Sequence, residues 1–191
     1  NACEMLRRGV ATPLPLAFFE APEKPGIRDS WYLCQFIPDA FSSRDVYSAL
    51  SRGETEFRGL SRAQWLNLIS GFVCHMHDMQ VIHRDLSSGN LLLKQADDGT
   101  VTPMAIDLGG TAKESELAWK FDGGASISFG HLEHEKNKLD WQGRQEFIRH
   151  YEHHLGKSLS PLWRVPFFYY DSKQTLKKSL KAKLRRKRPG K

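Results

Sequence analysis

At 191 residues, with 40% hydrophobic and 26% charged content, the chain is long enough to bury one core, and no apolar run approaches the roughly 18 residues of a membrane span. The formal charge of +6 is concentrated at one end: residues 173–191 hold ten Lys or Arg and no acid, which leaves 18 bases against 22 acids in the rest. Cys3, Cys34 and Cys74 are odd in number, far apart and without ligand spacing, which argues against a disulfide framework or a zinc cluster and for buried free thiols in a cytoplasmic compartment.

Residues 3–8 read as the end of a helix with Gly9 as its C-cap, after which Pro13 and Pro15 force an extended path and the apolar run 14–19 enters a strand. Lys24 sits in the turn Glu23-Lys24-Pro25-Gly26. A second strand is predicted over residues 31–37, ended by Pro38. Ser61-Arg62-Ala63-Gln64 has capping-box form and opens a helix running to about Met79, whose broad apolar face carries Trp65, Leu66, Leu68, Ile69, Phe72, Val73 and Met76. A short strand at Val81-Ile82 then delivers the chain into His83-Arg84-Asp85. Asn90 follows five residues after the aspartate. Leu91-Leu92-Leu93 begins a strand, Asp97-Asp98-Gly99-Thr100 is a turn, and a return strand over residues 101–106 brings Asp107-Leu108-Gly109 back beside Asp85 and Asn90. Residues 110–138 are rich in Gly and Ser and read as a loop. Residues 140–155 return to helix, with Arg144, Phe147, Ile148, Tyr151 and Leu155 marking one side.

This spacing suits phosphoryl transfer. Moving the γ-phosphoryl group of ATP asks the protein to hold Mg²⁺ on the phosphates and to aim an acceptor hydroxyl in line with the leaving group. Asp85 would orient that hydroxyl and accept its proton, while Asn90 and Asp107 would be the metal ligands. Mg²⁺ favours hard oxygen donors and takes only one or two carboxylates from protein, so this set is sufficient. The plainer alternative makes the three residues ordinary turn and cap residues. The histidine groups His75/His77, His131/His134 and His150/His153/His154 include helical spacings that begin some zinc sites, but they lack a paired Cys or Glu motif and read as solvated helix faces.

The run from His83 to Asn90 matches the H-R-D-x-x-x-x-N catalytic loop, and Asp107-Leu108-Gly109 the D-F-G, of the protein-kinase-like superfamily, which the chain resembles. The resemblance implies an α+β protein-kinase-like fold with an incomplete N-lobe and a compact helical C-lobe: residues 1–38 a partial N-lobe, 39–170 the C-lobe, and 171–191 a basic amphipathic tail. It also implies ATP and Mg²⁺ as cofactors, adenine against the backbone of Gln35, Phe36 and Ile37, and structural roles at the site for His83, Arg84 and Gly109. Two departures stand out. Ser87 occupies the position where protein kinases usually carry a lysine that contacts the γ-phosphate, and no A-P-E follows Gly109. A Gly-rich loop and strand lysine do not precede the catalytic loop, so the chain is expected to be a fragment that is inactive alone; Glu4 is a candidate partner for such a lysine.

The passage from Gly9 to Glu20 and the helix around Phe147-Ile148-Arg149-His150-Tyr151 are similar to those of bacterial lipopolysaccharide core kinases, which phosphorylate Kdo or heptose. That resemblance implies a lipid-linked sugar acceptor. In the tail, Leu176, Leu180 and Leu184 recur every four residues among Lys177, Lys178, Lys181, Arg185 and Arg186, the pattern of a basic helix lying on an anionic membrane surface. A cytoplasmic protein peripheral to the inner membrane is the expectation, with nucleic acid a poor fit. Two other classes stay open: an atypical RIO/Bud32-like protein serine kinase, and a non-catalytic kinase-like scaffold.

Overall fold

The structure, a computed structural model, describes residues 2–20, 30–83, 86–108, 111–112 and 139–161. Helix α1 (Ala2–Arg7) ends at Gly9, whose φ of +76° supplies the left-handed turn expected of a C-cap. Strand β1 (Pro15–Glu20) pairs antiparallel with β2 (Ser30–Cys34), setting Phe18 opposite Tyr32 and Phe19 opposite Trp31. The second strand stops three residues short of the predicted Ile37. The amide of Gln35 makes the last ribbon bond, 2.8 Å to the Leu14 carbonyl, and beyond it Pro13 on the facing strand has no N–H to donate.

The next elements pack into one core. Strand β3 (Phe41–Ser42) leads into α2 (Ser43–Ser51), a helix not anticipated from the sequence, although Ser42 and Asp45 have capping-box spacing: the Ser42 amide donates to Asp45 Oδ2 at 2.8 Å. A tight hairpin of β4 (Glu56–Phe57) and β5 (Leu60–Ser61) follows, then α3 (Arg62–Asp78). The predicted cap of α3 is present, with Ser61 N–H donating to Gln64 Oε1 at 2.8 Å and Gln64 N–H to Ser61 Oγ at 3.4 Å. Trp65, Leu66, Ile69, Val73 and Met76 of α3 are closed off from solvent, and the Trp65 indole donates to the Phe57 carbonyl at 2.8 Å. At its far end Gln80 takes φ +58° and Val81 N–H reaches back to the Met76 carbonyl at 2.8 Å, a Schellman closure that turns the chain sharply into β6 (Ile82–His83).

Strands β7 (Leu91–Gln95) and β8 (Val101–Ala105) form the predicted hairpin, with Gly99 at φ +85° and Thr100 N–H donating to Asp98 Oδ1 at 2.8 Å. They make a three-stranded sheet in the order β3, β7, β8, while β6 pairs with β9 (Thr111–Ala112). Helix α4 (Trp141–Leu155), capped by Asp140 and ended by Gly156 at φ +70°, lies along α3 and buries Phe147 and Tyr151 there. Arg62 ties the two helices through Asp140 and Glu146, at 2.8 Å each. Of the thiols only Cys74 is buried, where burial first and then Asp78 push it up to about 11; Cys3 and Cys34 are exposed, contrary to the expectation of buried thiols. The reason is that α1 and β2 leave open the side that faces a cleft.

Candidate active site

The backbone of Ile106 joins three parts of the site. Its N–H donates to the Asn90 carbonyl at 2.9 Å, and its own carbonyl accepts from His83 Nε2 at 2.9 Å. Both bonds come from segments that the sequence separates by 16 and 23 residues. His83 is fully buried, so this bond fixes its Nε2 as the protonated nitrogen and its role as a strut between β6 and the residue before Asp107. Asn90 closes a single 3-10 turn, Ser88–Asn90, whose amide reaches the Ser87 carbonyl at 2.9 Å.

Asp107 follows at φ +56°. A left-handed backbone costs most L-residues about 1–2 kcal/mol, and Asp and Asn are among the few that adopt it routinely. The turn takes Asp107 out of the β8 ladder into the cleft, where it sits among the lining residues with Ile106 and Leu108. Asn90 and Asp107 are thus brought to the same end of the β7–β8 hairpin. Two hard oxygen donors there fit Mg²⁺, which draws its other ligands from water and phosphate. Arg84, Asp85 and Gly109 lie outside the described residues, as do residues 110 and 113–138, Lys24 and the tail residues Lys177, Lys178, Lys181, Arg185 and Arg186.

The cleft has a volume of about 820 Å³ and a mostly apolar wall: Ala2 and Cys3 of α1, Thr12, and Leu16, Phe18, Tyr32 and Cys34 of the ribbon face Asp107 across it. Burial raises the Tyr32 phenol above its ordinary value, and the Cys34 and Cys3 thiols add to the shift. None of these wall residues is assigned to the site by the sequence, which marks β1 and β2 only as apolar runs. The amide of Gln35 is engaged by Leu14, so among the expected adenine contacts the Gln35 carbonyl and the backbone of Phe36 and Ile37 remain as candidates. Glu4, the candidate partner for a strand lysine, instead pairs with Arg7 and Arg8, at 3.2 and 2.8 Å.

The segment between α1 and β1 holds the site together from behind. Arg8 donates to the carbonyls of Met79 and Gln80 at 3.2 and 3.1 Å, His75 Nε2 bonds the Gly9 carbonyl at 3.0 Å, and Ala105 N–H donates to the Ala11 carbonyl at 3.0 Å. Residues 8–11 therefore span the end of α3 and the end of β8, the two approaches to the site. Two other histidines have structural partners too: His77 bonds the Tyr151 hydroxyl at 2.7 Å and His154 the Asn67 carbonyl at 3.1 Å. Among the described residues no three His, Cys, Asp or Glu side chains are grouped so as to hold a metal ion.

A two-stranded ribbon over a helical lobe, with a histidine-strapped loop and an Asp-Leu pair at the mouth of a cleft, defines a phosphotransferase of the kinase-like class. The model of the lipopolysaccharide kinase (Kdo/WaaP) family matches residues 3–151, and the chain belongs to that family. Twelve solved chains match it. One, described as "WaaP in complex with acyl carrier protein", shares 19% identity at a TM-score of 0.58, over 92% of this chain and 72% of that one. No curated protein matches. The chain is accordingly a kinase of lipopolysaccharide type with a mixed helix and sheet fold.

Proposed function

We propose that the protein transfers the γ-phosphoryl group of ATP, with Mg²⁺, to a hydroxyl of Kdo or heptose in the lipopolysaccharide core. The observation that carries this reading is the pair of hydrogen bonds at Ile106, which ties the residue before Asp107 to the Asn90 carbonyl and to His83 on the strand that leads into Asp85. In the reaction the acceptor oxygen attacks the γ-phosphorus and the bond to the β–γ bridging oxygen breaks. Asp85 orients the hydroxyl and takes its proton, and ADP leaves. Bound Mg²⁺ would supply charge neutralisation on the phosphates, and Asn90 and Asp107 are the residues that would hold it. The apolar wall facing Asp107 suits a nucleobase on one side of the cleft.

Residues 1–38 are, in this reading, the part of an N-lobe that the protein carries. The test offers that protein labelled ATP with purified lipopolysaccharide core and, side by side, a generic protein substrate. Label on the glycolipid that falls about 10²-fold or more in Asp85→Asn is the expected outcome. Label on the protein substrate alone would favour the RIO/Bud32-like alternative, and label on neither the scaffold. The tail extends the proposal: residues 173–191, ten bases without an acid, would hold the enzyme on an anionic membrane face beside its lipid-linked acceptor. Removing them should abolish binding to anionic liposomes at low salt, and unchanged binding would reject that role.

A further inference from the structure

Ser87 stands two residues after Asp85, where protein kinases usually carry the lysine of this loop, and a cation reaches the loop from elsewhere. Ser43 and Ser88 are both buried, and Ser43 Oγ donates to the Ser88 carbonyl at 2.9 Å, which locks the first turn of α2 onto the loop. The next residue is Arg44. Its guanidinium lies over Gly89: a Cβ added there would meet Arg44 Nη2 at 2.5 Å and Cζ at 3.1 Å. Gly89 does not have a left-handed φ, so the constraint on it is space rather than backbone geometry. Arg44 is exposed, and it stands in the first turn of a helix, where the macrodipole disfavours positive charge. A bound anion would offset that cost. The guanidinium offers five N–H donors, enough to hold a neighbour within the protein and an oxyanion together.

We propose that Arg44, reaching over Gly89, is the cation of this catalytic loop and binds an oxyanion of the reacting pair, either the γ-phosphoryl group of the nucleotide or the carboxylate of an acidic sugar acceptor. The proposal rests on the phosphotransferase reading and adds a residue from α2 to it. A guanidinium binds an oxyanion through a planar, bidentate fork, so lysine would replace it only in part.

The first experiment needs no turnover. The full-length protein is treated with phenylglyoxal alone, with Mg²⁺ and a non-hydrolysable ATP analogue, with free Kdo, and with carboxyl-reduced Kdo, and modification of Arg44 is followed by mass spectrometry against Arg58 as internal control. Binding of each ligand is measured in parallel by thermal shift. Several-fold slower modification of Arg44 with the nucleotide assigns the γ-phosphate; slowing with Kdo but not its reduced form assigns the acceptor carboxylate. A ligand that binds but leaves Arg44 as reactive as before overturns the proposal while sparing the kinase reading. If no ligand binds, the phosphotransferase reading falls and the proposal with it. In turnover, Arg44→Gln should raise KM for the protecting substrate or lower kcat by about 10- to 100-fold, with KM for the other substrate unchanged. Arg44→Lys should recover part of the loss. Gly89→Ala, which displaces the guanidinium while leaving it in the chain, should reproduce it, and a parental KM and kcat in both Arg44→Gln and Gly89→Ala would also overturn the assignment.

Discussion

The pairs β1–β2 and β7–β8 are both short antiparallel pairings, yet Phe18, Phe19, Trp31 and Tyr32 are 53–60% exposed while Leu91 and Leu93 are 2% and 0% exposed. The ribbon is held by its ladder and by cross-strand aromatic pairs, each contributing roughly 0.2–1 kcal/mol. The hairpin adds burial against α2 and α3, and a fully buried Leu is stabilised by about 1.5–3 kcal/mol. The difference tracks chemistry. Both metal-ligand candidates sit at the ends of the buried pair, where packing fixes their positions, whereas the ribbon contributes apolar wall and, among the described residues, no charged group that lines the cleft with Asp107. A phosphotransferase needs its ligands placed to a fraction of an ångström and asks less of the surface under a nucleobase.

The sharpest way to break this comparison is at Asp107. Asp107→Asn keeps a residue that accepts φ +56° and removes only the charge, so the fold should melt as before. Turnover by the full-length protein should fall by about 10³-fold or more, because several kcal/mol of charge stabilisation through the metal is lost. Near-parental turnover in that variant would remove Asp107 from the site. A second contrast compares the two pairs directly by urea unfolding. Leu93→Ala should cost about 2–5 kcal/mol, as a cavity in the core, and Trp31→Ala about 1 kcal/mol or less. Equal costs would show that the ribbon is as much a part of the core as the hairpin.

What could be read from the sequence follows the same division. The Asp97-Asp98-Gly99-Thr100 turn, the Ser61 capping box and the Gly9 cap are local signals with a single physical solution, and each element stands within a residue or two of its predicted place. The hairpin at Arg58-Gly59 escaped notice because both residues take positive φ, 48° and 78°, and arginine is a poor marker for such a turn; stacking of Arg58 over the Phe41 ring at 4.2 Å helps hold it. Helix α2 was missed despite its capping-box spacing, and with it Arg44. The grip of Arg8 on the end of α3 joins residues more than 70 apart, and no pattern of spacing encodes it. Asp107 was legible because chemistry fixes its distance from the catalytic loop; the cleft wall was not, because apolar residues there look like any strand.

The seam between α3 and α4 offers the two smaller effects. His77 is fully buried against Tyr151, and burial pulls its pKa down to about 4 from an ordinary 6.5. A folded value below the unfolded one means that the neutral ring is what the fold accepts. Stability should therefore be complete above pH 6.5 and fall as the pH drops toward 4, by on the order of 3 kcal/mol in total. His77→Gln should be less stable at pH 7 and much flatter over that interval, and a parental slope in the variant would show that another group titrates there. Asp140 acts in the same direction at lower pH. The Gly143 amide, at 2.7 Å, holds its carboxyl below the ordinary value, and Arg62 adds to the shift. Being a depressed acid, it contributes above its unfolded pKa and loses that contribution as pH falls through the folded one. Asp140→Ala should cost about 1 kcal/mol at pH 7, the usual loss for an N-cap, and the gap from the parent should narrow as the pH falls below the ordinary carboxylate range. Asp140→Asn separates the two parts: it can still cap α4, so it should recover most of the stability at pH 7 and lose only the share owed to Arg62. A full loss in Asp140→Asn would mean that the ion pair, rather than the cap, fixes α4 at its N-terminus.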